Sequence, residues 1–220
     1  MTTSVKLISH SKAPEELGLD NCQELIAYCA RVSNPSNQMN SETSEKLIKY
    51  LIKHAHWSPL EMVSACLEIN TTRDIAHQIV RHRSFSFQEF SQRYADPAEF
   101  GDQFTKREAR LQDEKNRQNS IEVDDVQLQT HWEQQQQRVI NIAQEAYEWA
   151  IKNGIAKEQA RAVLPEGLTK TRLYMNGTLR SWIHYIELRG ANGTQKEHME
   201  IAHACAKVIA DIFPLAEDLV

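Results

Sequence analysis

The chain has 220 residues, enough for one sizeable core, with a formal charge of -5 and 25% charged residues. That balance excludes the basic excess on which nonspecific nucleic-acid binding depends. No apolar run has the length of a signal peptide or a membrane span, so a cytoplasmic protein with no membrane and no nucleic-acid partner is expected.

Alternation in VKLISH predicts a first strand. Helices are expected over about Pro14 to Val32 and Ser44 to His54, the second with an apolar stripe of Leu47, Ile48, Leu51 and Ile52. Val63, Ala65, Leu67 and Ile69 alternate with Met62, Ser64, Cys66 and Glu68, as in a half-buried strand, with a turn expected at Asn70. Thr71 and Asp74 have capping-box spacing, so TTRDIAHQIVRH is read as a helix burying Ile75, Ala76, Ile79 and Val80. Helical spacing then places Gln78, Arg81 and His82 together on another face.

Phe85 to Arg93 is read as extended, which would send Glu89, Ser91 and Arg93 to one side. Gly101 to Gln129 is polar and reads as a long loop or excursion. His131 to Asn153 predicts an amphipathic helix with Val139, Ile142, Ala143, Ala146, Tyr147 and Ala150 on its apolar side, ended by Asn153-Gly154. AKEQARAVLP predicts a short helix, LTKTRLYMNG a strand, and TLRSWIHYIELRG a helix capped by Thr178. Thr194 and Glu197 again have capping-box spacing before a last helix through Met199, Ala202, Cys205, Ala206 and Ile209. With no repeat and no linker, the expectation is α+β: a mixed sheet with flanking helices in a single domain over residues 1–220, with the excursion at about 101–129.

The chemistry concentrates in RHRSFSFQEFSQRY, residues 81–94. Glu89 is an acceptor, Ser91 a hydroxyl and Arg93 a bidentate fork, a set suited to a phosphorylated polar ligand. Arg81 and Arg83 also suit a helix C-terminus, where the macrodipole favours cations. Phe85, Phe87 and Phe90 suit core packing better than base stacking. Neither GxGxxG nor a P-loop occurs, so any nucleotide is held without a glycine cradle. Cys22, Cys29, Cys66 and Cys205 are scattered and read as packed thiols, and His198 and His203 lack HExxH spacing, so no metal is expected.

RHRSFSFQEFS resembles the RHR-x7-S signature of the flavin-dependent thymidylate synthases. HWSPLE, RAVLP at 161–165 and NGTLRSWIHYIELR ending at Arg189 accompany it, so that the likeness spans about Leu51 to Glu200. Two positions depart from the common pattern: Gln88 stands where many members have asparagine, and Met62 where histidine is common. The resemblance implies methylation of dUMP to dTMP, with methylenetetrahydrofolate giving the carbon and FAD, reduced by NADPH, giving the hydride. It also implies a homotetramer with active sites shared between subunits.

Carried over to this chain, Arg81, His82 and Arg83 would contact FAD together with Ser58, Glu89, Thr178, Leu179, Arg180 and His184. Gln78, Arg81, Gln88, Glu89, Phe90, Ser91, Gln92, Arg93 and Arg161 would hold dUMP, and Arg189 would be catalytic as well as substrate-binding. The chemistry agrees with these roles. A pyrophosphate without glycine loops calls for arginine forks, and a guanidinium at uracil O2 and N3 favours the N3 anion, which raises electron density at C5. Two other readings stay open: a nonenzymatic binder of nucleotides or single strands, and a different nucleotide-binding flavoprotein.

Overall fold

The computed structural model describes residues 3–219. Strand β1 (Ser4–His10) pairs with β2 (Ser64–Thr72), β2 with β6 (Lys170–Thr178), and β6 with β3 (Ser86–Glu89), in the order β1-β2-β6-β3. The α+β class and the flanking helices are as expected. Every pairing in this sheet is antiparallel, however, where a mixed sheet was expected. The strand connections return the chain alongside its neighbours in the opposite direction, so no parallel β-α-β unit arises.

Register follows the alternation in the sequence. Ala65, Leu67 and Ile69 of β2 lie opposite Gly177, Met175 and Leu173 of β6, and all of these face the core. The other face is polar: Tyr174 donates its hydroxyl to Glu68 at 3.0 Å, and Arg172 Nε donates to Asn70 at 2.9 Å. β2 continues through Asn70, so the turn expected there is absent; its ladder to Arg172 outweighs the turn preference of an asparagine.

Helices α1 (Cys22–Ala30), α2 (Ser44–Lys53), α3 (Arg73–Ile79), α6 (Leu179–Gly190) and α7 (Lys196–Ala210) supply most of the rest of the main core, with Leu60, Val63 and Phe213 from the connecting segments. Ile26, Ile48, Ile75, Trp182, Ile186 and Ile201 are fully buried in it. Trp182 also donates its indole N–H to the Ala65 carbonyl at 3.0 Å, so burial leaves no orphan donor.

Several expected boundaries move. α1 starts at Cys22 because Asn21 caps it, accepting from Glu24 N at 3.0 Å, while Gly18 at φ 58 ends a separate short turn over Glu15–Leu17. Neither capping box forms. Thr72 is the N-cap of α3, and Asp74 is drawn to the Thr72 hydroxyl at 2.6 Å and to Arg107. Gln195 is the N-cap of α7, and Glu197 is held by Arg107, Arg110 and Gln195. Val80 lies just past α3 and is exposed.

The polar excursion carries structure. β4 (Arg110–Gln112) and β5 (Ser120–Glu122) form a hairpin, and α4 (Val126–Lys152) begins inside the segment, capped by Asp125. Polar side chains hold it together where apolar ones are scarce. Gln136, buried on α4, bonds both backbone atoms of Arg107, its amide at 2.7 Å and its carbonyl at 2.8 Å, and Gln129 bonds both of Ala109.

α4 packs along Ile140, Ala143, Tyr147 and Ala150 with Phe104, Leu164 and Ala160 of α5 (Lys157–Ala160). Val139 and Ile142, expected on that side, are exposed. The helix has two apolar faces, and the sequence stripe straddled both.

Candidate active site

The chain places its expected site residues in three neighbourhoods. The first lies where the end of α3 meets the end of α6 and the start of α7. Arg189, in the last turn of α6, donates from Nε to His82 Nε2 at 2.9 Å. His82 must be neutral to accept. Burial lowers its pKa from 6.5 to about 4, helped by the Arg189 and Arg81 guanidiniums. Its ring packs edge-on against Tyr185, with centroids 5.0 Å apart.

Tyr185 in turn bonds buried His198 Nε2 at 3.1 Å, and His198 Nδ1 lies 3.2 Å from Gln78 Oε1. Burial first, then Arg189, His82 and Arg81, hold the His198 pKa down at about 3. Burial also pushes the Tyr185 phenol well above its usual range. Both rings therefore stay uncharged near neutral pH.

The second neighbourhood is the end of the sheet where β2 stops and β6 starts. Glu89 accepts from Thr171 Oγ1 at 2.9 Å and pairs with Arg73 at 3.3 Å. Beyond Glu89 the chain turns: Tyr94 N bonds Ser91 O at 3.1 Å, so Ser91 and Arg93 do not follow Glu89 along one strand face. The extended run ends because β6 offers its last ladder bond to Phe90 N, through Arg172 O at 2.8 Å.

Arg93 reaches Glu158 of α5 at 3.4 Å, and Arg161 begins the tight turn that follows this helix. Gln88 is exposed, Phe90 half-buried, and Gln92 buried with its amide nitrogen unsatisfied. An open cavity of about 560 Å³ is lined by Gln88, Glu89, Phe90 and Arg172 among others.

The third neighbourhood surrounds the N-terminus of α6. Thr178 caps the helix, accepting from Ser181 N at 3.3 Å. Leu179 is core, with its amide committed to Val63 O at 2.9 Å. Arg180 pairs with Glu61, His184 lies against Trp57 with ring centroids 4.5 Å apart, and Ser58 is exposed at the start of the same turn as Glu61. Ser181 Oγ donates to Ser84 O at 3.2 Å, which tethers the Arg81–Arg83 segment nearby. Arg81 and Arg83 are exposed and pair with no carboxylate among the described residues.

The second and third neighbourhoods sit at opposite ends of β6. Thr171, bonded to Glu89, and Thr178, the α6 cap, are separated by seven residues of strand, which at about 3.3 Å per residue is roughly 23 Å. One mononucleotide cannot touch both within a protomer.

Arg73, Thr171, Trp57, Tyr185, Gln195 and His198 carry these arrangements and escaped the sequence reading. Tyr185 stands one helical turn before Arg189, which was a usable signal. His198 gave none, since its partners are distant in sequence. No cluster among the described residues suits a metal, and no helix is long and apolar enough to cross a membrane.

Fold and side chains together define an α+β protein that carries exposed arginines at both ends of its central sheet. Residues 7–215 match the family of the thymidylate synthase complementing protein, and the chain belongs to that family. It is 50% identical over 211 residues to a probable flavin-dependent thymidylate synthase of Paramecium bursaria Chlorella virus 1, covering 96% of this chain and 95% of the relative. It is 51% identical over 190 residues to the flavin-dependent thymidylate synthase of Synechocystis sp., covering 86% and 85%. The UMP/dUMP methylase PolB of Streptomyces cacaoi, solved with 5-Br dUMP, shares the fold at TM-score 0.77 and 24% identity, over 99% of this chain and 93% of that one.

Proposed function

We propose that this chain is a flavin-dependent thymidylate synthase that reductively methylates dUMP to dTMP, with methylenetetrahydrofolate as carbon donor and NADPH as reductant. The observation that carries the reading is the Arg189–His82 pair. A neutral histidine accepts the hydrogen bond of Nε–H and so aims the guanidinium, whose two terminal nitrogens have no partner among the described residues. Those nitrogens suit uracil O2 and N3, where a fixed positive charge stabilises the anion that makes C5 nucleophilic.

The donor set fits FAD. Arg81 and Arg83 are exposed near the α6 N-terminus without carboxylate partners among the described residues and suit a pyrophosphate in the absence of a glycine loop. Ser58, Thr178, Arg180 and His184 stand at the same end of the sheet, with the Leu179 backbone among them. When bound, the flavin supplies the hydride. Glu89, Ser91 and Arg93 with Arg161 would receive dUMP, the serine and arginines chiefly at its phosphate, and Gln88, Phe90 and Gln92 shape that end of the cleft.

Assembly as a homotetramer would unite the two ends of the sheet, one from each copy. Residues 1–220 would act as a single domain within it. The exposed face of α4 supports this: Leu128, Trp132, Gln135, Val139, Ile142, Ala146 and Trp149 repeat with heptad spacing, and Ile142 is 67% exposed.

The test is dTMP formation from dUMP with methylenetetrahydrofolate, FAD and NADPH, each omitted in turn. Turnover requiring all four is expected. A colourless protein that binds dUMP and gives no product with the full mixture would overturn the assignment.

A further inference from the structure

Gln78 sits at the centre of a hydrogen-bond chain whose direction is fixed at one end. Glu197 Oε2 is a carboxylate oxygen and can only accept, so the Gln195 nitrogen, 2.9 Å away, faces it. That turns Gln195 Oε1 towards Gln78, whose Nε2 donates to it at 2.8 Å. Gln78 Oε1 must then accept from His198 Nδ1–H at 3.2 Å, and His198 Nε2 accepts from the Tyr185 hydroxyl at 3.1 Å. Each link fixes the next.

Glu197 is itself held by Arg110 and lies 3.8 Å from Arg107, both from the segment around the β4–β5 hairpin. His198 is fully buried, and its low proton affinity keeps it a one-donor, one-acceptor ring. Inverting the Gln78 amide would therefore place nitrogen against a donor and oxygen against an acceptor.

We propose that Gln195 and His198 are specificity-determining positioning residues, which lock the Gln78 amide with its oxygen on the buried histidine and its nitrogen as the group left to donate, and so select uracil over cytosine. Oxygen faces the buried histidine, while nitrogen lies on the side of half-buried Gln195, and one of its two N–H bonds has no acceptor among the described residues. A pyrimidine 4-oxo group can accept that proton; a 4-amino group offers only another donor. An unlocked glutamine would serve both bases by turning over.

The inference rests on Gln78 contacting dUMP. Its test is the ratio of dissociation constants for dCMP and dUMP, titrated against the flavin absorbance of the FAD-loaded protein. Gln195→Met and His198→Leu should each lower the ratio by about tenfold or more, the effect of freeing one polar contact to serve the wrong partner.

His198→Asn should restore the ratio, because its amide nitrogen replaces Nδ1 as donor to Gln78, whereas a merely structural role would not distinguish asparagine from leucine. If His198→Leu fails to fold, Gln195→Met carries the test alone. Gln78→Leu serves as the control on the underlying reading. If it leaves dUMP binding unchanged, Gln78 does not touch the ligand and both ideas fall. If it weakens dUMP while the ratio stays constant in Gln195→Met and His198→Leu, the lock alone is refuted.

Discussion

Arg189 illustrates how one side chain acquires a direction. Its Nε is committed to His82, and that acceptor is uncharged down to about pH 4, so the fork points where helix and histidine together aim it. A lysine would keep the charge but not the plane. Arg189→Lys should fold and bind FAD yet lose on the order of 100-fold or more in kcat, the scale of removing a preorganised charge contact; near-normal single-turnover rates would remove Arg189 from catalysis. The cysteines tell the opposite story. Burial pushes Cys22 up to about 11 and raises Cys29, Cys66 and Cys205 as well, so none is a ready thiolate. Replacing all four with serine or alanine should leave dTMP formation within about threefold in flavin-loaded protein, at the cost of some melting temperature from small cavities. Loss of turnover that returns when one cysteine is reverted would contradict this.

At the scale of elements, the meeting of β6 with the Arg81–Phe85 segment is a tight joint. A Cβ on Gly177 would come within 2.4 Å of the Phe85 ring, which also packs edge-on against Trp182 at 4.8 Å. The ring cannot retreat, because core lies behind it. Gly177→Ala should therefore cost about 1–3 kcal/mol by overpacking and reduce flavin occupancy, since the displaced segment carries Arg81 and Arg83. Scanning calorimetry and bound-flavin absorbance measure both, and Phe85→Leu in the same chain should recover part of each. Unchanged occupancy would mean that the segment is positioned from elsewhere.

What was legible in the sequence follows the same logic. β2, α2 and α6 were readable because an apolar face specifies each, and α6 has a local cap in Thr178 besides. The Ser91 turn and the β4–β5 hairpin were not, because partners remote in sequence determine them: Arg172 for the first, Gln129 and Gln136 for the second. Among site residues, the RHR segment announced itself by composition. The network behind it, Tyr185 to Gln195, joins α3, α6 and α7 only after folding.

For the whole molecule, the two neutral histidines make stability depend on pH. An unfolded chain protonates each near pH 6.5, whereas the folded one holds them neutral down to about 4 for His82 and about 3 for His198. The unfolded state therefore binds more protons as pH falls through that window. Their contribution is complete above pH 6.5 and is lost progressively towards the folded values. The urea midpoint should fall between about pH 6.5 and 4, and His82→Gln should flatten part of the slope. A midpoint independent of pH across that range would show that the rings are not held uncharged.

The guanidiniums of Arg81 and Arg83, which pair with no carboxylate among the described residues, have a kinetic consequence in a chain of net charge -5. A dianionic ligand diffusing up to this acidic molecule is repelled by its net charge and attracted where these cations stand, so the field sorts productive encounters before contact. Added salt collapses that field over a Debye length of about 10 Å at 0.1 M, shorter than the protein is wide. Ligand capture should accordingly slow as ionic strength rises while departure stays nearly constant, which makes arrival, rather than residence, the quantity that the surroundings regulate.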